Sequence, residues 1–222
     1  MSTFSLALKL SNINNILKEC TRLKNLTMDD WTIPNITSFS YFFAGRLFGA
    51  NGVWQWQNFT PNLQTLSMKN LNANGLTNIS NMFTSNSVIR SVDFSGISAP
   101  NITNMSAVFN GCSSLVDLNI EGLTTKNVTS MTSMFNGCNL LTNLDISNFN
   151  FTNVTSVTNF GPGKVTNLKL DNIDNAMYDN TYFQDAVKAI TTSTATVNVK
   201  DSNCATKLLG IMSTLNPVVI GA

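Results

Sequence analysis

The sequence predicts an α/β repeat solenoid of about eight coils, each built from a short helical turn and a parallel β-strand. Two observations carry this. Phe83, Phe109 and Phe135 stand 26 residues apart, and a fixed apolar-x-x-apolar-x-apolar phrase follows each of them. Self-similarity at a period of 20 to 50 residues marks stacked repeat architectures. A third observation is compositional: charged residues make up 11% of the chain and hydrophobic residues 43%. Such a chain has ample material for a core, and Asn, Ser and Thr rather than charges furnish its polar surface.

The strand phrase runs through six units: Leu23/Leu26/Met28, Leu63/Leu66/Met68, Ile89/Val92/Phe94, Leu115/Leu118/Ile120, Leu141/Leu144/Ile146 and Val165/Leu168/Leu170. Ahead of it, Ile102, Met105, Val108 and Phe109, and likewise Val128, Met131, Met134 and Phe135, fall at i, i+3, i+6 and i+7. That spacing predicts one face of a short helix or 3₁₀ turn. Leu10, Ile13, Ile16 and Leu17 keep the same phase and predict that the array starts near the first residue. Units of this size bury their apolar face only by stacking, at about 4.8 Å per strand, so successive strands are expected to be parallel with right-handed crossovers.

The organisation that follows is a single solenoid over 1–222, with a half-coil cap at 1–22, regular repeats at 23–170 and divergent C-terminal coils at 171–222. Residues 44–57 are an insertion between helical turn and strand, a place where solenoids often carry binding. Beyond Leu170, a longer amphipathic helix is predicted with Phe183, Ala186, Val187 and Ile190 inward, then a strand with Val197 and Val199. A last helix around Leu208 to Leu215 and a strand at Val218 to Ile220 complete the chain.

The phrase "NVTSMTSMFNGCNLLTNLDISNF" (127–149), and most of "NITNMSAVFNGCSSLVDLNIEGL" (101–123), resemble the repeat of BspA-type leucine-rich repeat proteins, of the Treponema pallidum class. The resemblance covers residues 10 to about 170. It implies a surface or adhesion protein, or a phage tail component, since similar repeats occur there. The N-terminal stretch has no basic n-region and Lys9 breaks its apolar run, so no secretion signal is read. A virion or extracellular setting is the expectation, with a phage tail or other virion component favoured over a cell-wall anchor.

Several residue sets invite chemistry. A formal net charge of +1 gives no electrostatic footprint for nucleic acid or an anionic membrane, and no apolar run reaches the length of a membrane span. Cys20, Cys112 and Cys138 share one phase of the repeat, with Thr60, Asn86 and Pro162 in that slot elsewhere. A disulfide or metal site is one reading and a ladder of small buried thiols the favoured one. With no His and no C-x-x-C, zinc and other cofactors are not expected. The Asn-x-Ser/Thr triplets, among them Asn101, Asn127 and Asn153, read as by-products of the repeat that cap turns and stack between coils, more than as glycosylation sites.

The strand row between the second and third apolar positions holds Thr27, Ser67, Asp93, Asn119, Asp145 and Lys169. Asp93 and Asp145, two coils and thus roughly 9.5 to 10 Å apart, come near the separation of about 5 to 9.5 Å that a glycosidase pair uses. The resembling motif prescribes an Asp in this row, so its place in the repeat outweighs a catalytic reading. The insertion supplies Phe48, Trp54 and Trp56 in a Gly-rich loop; flat rings there would stack on sugars or fill a partner's pocket, unless the loop packs upon itself. Trp31 reads as a packed residue at a strand end.

These readings converge on a non-enzymatic recognition protein. Its expected ligand is a cell-surface glycan or protein receptor, bound through the sheet face (Asp93, Asn119, Asp145) and the aromatic loop (Phe48, Trp54, Trp56). Contacts with other subunits of a larger assembly are compatible with this reading. The alternatives are a polysaccharide-degrading enzyme on the same scaffold and a purely architectural virion subunit.

Overall fold

A 26-residue unit cannot satisfy its own backbone in a strand of a few residues, so its amides and carbonyls must find partners in the units on either side. The computed structural model shows how they do, and describes Leu17 and residues 20–45, 47–48, 54–55 and 62–220. In chain order its strands are β1 (Asn25–Thr27), β2 (Leu47–Phe48), β3 (Trp54–Gln55), β4 (Thr65–Ser67), β5 (Ser91–Asp93), β6 (Asp117–Asn119), β7 (Asn143–Asp145) and β8 (Val165–Leu170). A 3₁₀ turn at Asn175–Asp179, helix α1 (Thr181–Ile190), strand β9 (Thr191–Val199), helix α2 (Ser202–Ile211) and strand β10 (Asn216–Val219) follow. The strands form two four-stranded parallel sheets, β1-β4-β5-β6 and β7-β8-β9-β10, and β2 pairs with β3 in an antiparallel ribbon. The fold is a parallel, β-rich stack of repeats.

The repeat frame is the hydrogen-bonded register. Leu26 pairs with Leu66, Leu66 with Val92 and Val92 with Leu118, and in the second sheet Leu144 pairs with Leu168 and Leu168 with Val197. The regular strands from β1 to β7 are only three residues long and centre on the middle apolar position. The flanking apolar residues, such as Leu63 and Met68, lie in the adjoining turns and are nonetheless fully buried.

The segment ahead of each strand differs from the expected helical turn. Ile102, Met105, Val108 and Phe109 are all fully buried, as their spacing requires, but the backbone alternates between two kinds of hydrogen bond. The amides of Met82, Thr84 and Asn86 donate three residues back, to Ile79, Asn81 and Phe83. Those of Asn81, Phe83 and Ser85 donate to Ser106, Val108 and Asn110 in the next coil. Left-handed residues at Asn81 (φ 58°), Ala107 (φ 55°) and Ser133 (φ 56°) make this alternation and forbid a helix. Apolar spacing reports which side chains point inward, and a chain of tight turns gives nearly the same spacing as a helix.

Rings of successive coils stack through the core: Phe43 on Phe83 and Phe83 on Phe109 with centroids 5.3 Å apart, then Phe109 on Phe135 at 5.8 Å. Gly161 ends this column, because a side chain there would collide with Ile190 of α1. Helix α1 buries Phe183, Ala186, Val187 and Ile190, the four residues its pattern selects. Asn180 caps it, Oδ1 accepting from the Phe183 amide at 3.0 Å.

Two expectations are corrected. The last helix is Ser202–Ile211 rather than 208–215, because Asp201 accepts the Cys204 amide and starts it earlier. Trp31 is 37% exposed rather than packed, although its place in the repeat is filled by buried Leu71 and Ile97 in the next two coils. The predicted half-coil residues Leu10, Ile13 and Ile16 lie outside the described residues.

Candidate functional site

The cysteine slot belongs to the coil's own hydrogen bonding. The Cys112 thiol donates to the Phe83 carbonyl at 3.3 Å, and the Cys138 thiol to the Phe109 carbonyl at 3.1 Å, each one coil back. Asn86 holds the same slot and its Nδ2 donates to the Phe43 carbonyl at 3.0 Å. A thiol and an amide thus deliver the same buried donor. Burial pushes the Cys112 thiol well up and that of Cys138 to about 12, against an ordinary value of 9.0. Pro162 does not share this slot. The left-handed Gly163 lines up with Gly137, while Asn143 pairs with Asn167, so the last such turn is two residues shorter. Thr60 lies outside the described residues.

The Asx residues of the strand row close turns. Asp93 Oδ1 accepts the Ser95 amide at 2.9 Å, Asn119 Oδ1 the Glu121 amide at 3.1 Å, and Asp145 Oδ1 the Ser147 amide at 2.9 Å. The other oxygen of each aspartate faces a lysine: Lys69 Nζ lies 3.2 Å from Asp93, and Lys169 Nζ lies 2.9 Å from Asp145. Partial burial pushes both carboxyls up, but the bonds from Ser95 and Lys69, and from Ser147 and Lys169, outweigh it and hold both below the ordinary value of 3.8. Asp93 belongs to one sheet and Asp145 to the other, and each is held by its own lysine. A general acid needs the opposite, a carboxyl kept protonated near neutrality.

The Asn-x-Ser/Thr triplets are spent on the backbone as well, and in two ways: Oδ1 of Asn78, Asn104 and Asn150 accepts the amides of Ser80, Ser106 and Thr152 and so caps turns, while others donate to carbonyls. Nδ2 of Asn101, Asn127 and Asn153 donates to the carbonyls of Asn74, Pro100 and Lys126, one coil back. The hydroxyls of Thr77, Thr103, Thr129 and Thr155 donate in turn to Thr37, Thr77, Thr103 and Thr129. The result is an exposed, neutral face of Asn and Thr rows repeating at the coil spacing.

In the insertion, Phe48 and Trp54 stand opposite one another in the β2-β3 ribbon. Trp56 lies outside the described residues. Among the described residues no group of His, Cys, Asp and Glu is arranged to hold a metal ion. No helix there is long and apolar enough to cross a membrane.

A family model described as "Mycoplasma protein of unknown function, DUF285" matches residues 77–196. The chain belongs to this family. DUF285 is related to the BspA-like repeats, and the matched stretch takes in the Asp93 and Asp145 turns, both buried thiols and the first helix of the C-terminal coils. No curated protein matches the chain. The lysine partners of Asp93 and Asp145 escaped the sequence reading, although Lys169 stands in the same row as Asp145. An opposite charge one coil away was the available signal.

Proposed function

We propose that this DUF285 chain is a non-enzymatic recognition protein, a continuous solenoid of about eight coils that binds a cell-surface glycan or a protein receptor. The observation that carries this is the state of Asp93 and Asp145. Both are ionised and tied to a lysine and a turn amide, so neither carboxyl of the row most suited to hydrolysis carries a proton to give to a leaving group. Around them lie neutral Asn and Thr rows, which suit hydrogen bonding to hydroxyl-rich or peptide ligands.

The binding residues in this reading are Asp93, Asn119 and Asp145 on the sheet face, and Phe48, Trp54 and Trp56 in the insertion. The setting is a host-attachment component on a virion, such as a phage tail, or an extracellular surface. There the chain would also touch other subunits. The test is a glycan array and a cell-binding assay with the Trp54→Ala/Trp56→Ala protein. Loss of binding with an unchanged melting temperature supports the reading. Unchanged binding, or a fall in melting temperature with no specific loss, overturns the role of the loop.

A further inference from the structure

The two parallel sheets meet between β6 and β7, where the repeat keeps its 26-residue step but the strand ladder stops. In the intact ladders one pattern recurs. The amides of Met28, Met68, Phe94 and Ile146 donate to Ser67, Asp93, Asn119 and Lys169 of the next coil. Those of Thr65, Ser91, Asp117 and Asn167 donate back to Lys24, Gln64, Arg90 and Thr142. The corresponding bonds from Ile120 to Asp145 and from Asn143 to Val116 are missing. Leu118 is half-buried, whereas its counterparts Leu66, Val92 and Leu144 are buried; Val116 and Leu140 beside the break are 41% and 51% exposed.

A second arm of the coil is broken nearby. Parallel bridges join Thr32, Asn72 and Ser98, but none continues from Ser98 to Thr124. In its backbone bonding only the third arm is unbroken, through Ser38, Asn78, Asn104, Ser130 and Ser156, with the Phe109 amide donating to Met134 and that of Phe135 to Phe160. Both lysine–aspartate clips of the strand face fall within a sheet, Lys69–Asp93 in the first and Lys169–Asp145 in the second. Among the described residues, no ion pair bridges the break; apart from the third arm it is crossed by side-chain bonds, from Asn148 Nδ2 to the Glu121 carbonyl at 3.2 Å and between the Thr125 hydroxyl and the amide and carbonyl of Asn150.

We propose that the coil containing β6 is a hinge. The two halves of the array bend apart and together on the strand face, pivoting on the continuous third arm beneath Asn104, Ser130 and Ser156. Coils joined by one continuous backbone ladder and a few side-chain bonds have fewer backbone hydrogen bonds to lose than coils laddered through the strand as well, so this is where the lowest-cost opening of the stack lies. Opening there would alter the spacing between the Asp93 and Asp145 rows without unstacking either sheet.

The test has two measurements on the full chain. Amide exchange followed by NMR should find Ile120, Asn143 and Thr124 at least 100-fold less protected than Phe94, Ile146, Asp117 and Ser98. Distances between paired spin labels should then separate motion from a fixed gap, in a Cys20→Ser background with the remaining cysteines buried. Labels at Lys24→Cys and Thr166→Cys, five coils apart across the break on the strand side, should give a broad distribution that narrows on cooling. Labels at Thr37→Cys and Thr155→Cys, four coils apart along the third arm, should give a narrow one. Equal protection of the two amide sets, or equally narrow distributions, overturns the hinge.

Discussion

The Cys138 thiol donates to the carbonyl of Phe109, 29 residues earlier and in the preceding coil of the array, at 3.1 Å. That bond fixes the meaning of the most motif-like phrase in the chain. Phe135 stacks in the aromatic column, Gly137 takes a left-handed backbone and Cys138 closes the coil below, so "FNGC" is architecture. Cys138→Ala is expected to destabilise by about 1 to 3 kcal/mol, from a lost buried hydrogen bond and a small cavity, read by denaturant titration.

The thiols also differ in reactivity. Burial raises Cys112 and Cys138 so far that neither forms thiolate at pH 8, and Cys204 is buried too, whereas Cys20 is half-exposed. Alkylation followed by mass spectrometry should label Cys20 alone in the native protein and all four cysteines in denaturant.

Gly137 has φ 77°, and a Cβ there would stand 3.2 Å from Gly111 Cα of the neighbouring coil. Gly137→Ala is expected to cost about 1 to 3 kcal/mol. Ser85 occupies the same slot with φ 58°, and Ser85→Gly is expected to stabilise slightly, by less than about 1 kcal/mol, as strain relief exceeds the added chain entropy. Thermal melts that show opposite signs for the two variants would bear this out.

Asp145 gives a pH dependence. Its folded carboxyl titrates below the ordinary 3.8, so its stabilisation is complete above that value and is lost as pH falls through the lowered folded value. Lys169 is raised above its ordinary 10.5 by Asp145, so its share is complete below 10.5 and is lost only at still higher pH. Asp145→Asn should therefore lower the melting temperature at pH 7 and narrow its difference from the parent protein below about pH 3.

At the C-terminal cap, Asn180 accepts the Phe183 amide and donates to the Phe151 carbonyl at 3.3 Å, joining α1 to the last regular turns. Asn180→Ala is expected to cost about 0.5 to 2 kcal/mol, measured by circular dichroism on heating.

The recurring strand phrase gave the strand register and the inward residues of the coils, and the helical spacing of Phe183, Ala186, Val187 and Ile190 the core of α1, because each depends on which side chains must leave water. The path of the backbone between them was not legible. Tight turns with left-handed residues at Asn81, Ala107 and Ser133 leave an apolar spacing close to that of a helix, and only the hydrogen-bond pattern separates the two. The break between β6 and β7 was also hidden, since Leu118 and Leu144 carry the same strand phrase as residues in closed ladders. In the candidate site, Asp93, Asn119 and Asp145 were found by position, but their work in turns and ion pairs depends on partners that a linear pattern does not display. Trp31 failed for a related reason: its slot is apolar in neighbouring coils, yet its own coil leaves the ring partly in solvent.

The most direct test of the recognition reading is to incubate the purified chain with a panel of polysaccharides and measure retention and reducing ends in the same samples. Retention of a polymer with no release of reducing ends is the expected result. Release of reducing ends that disappears in Asp93→Asn or Asp145→Asn protein would contradict it, and would make the strand row a hydrolytic site.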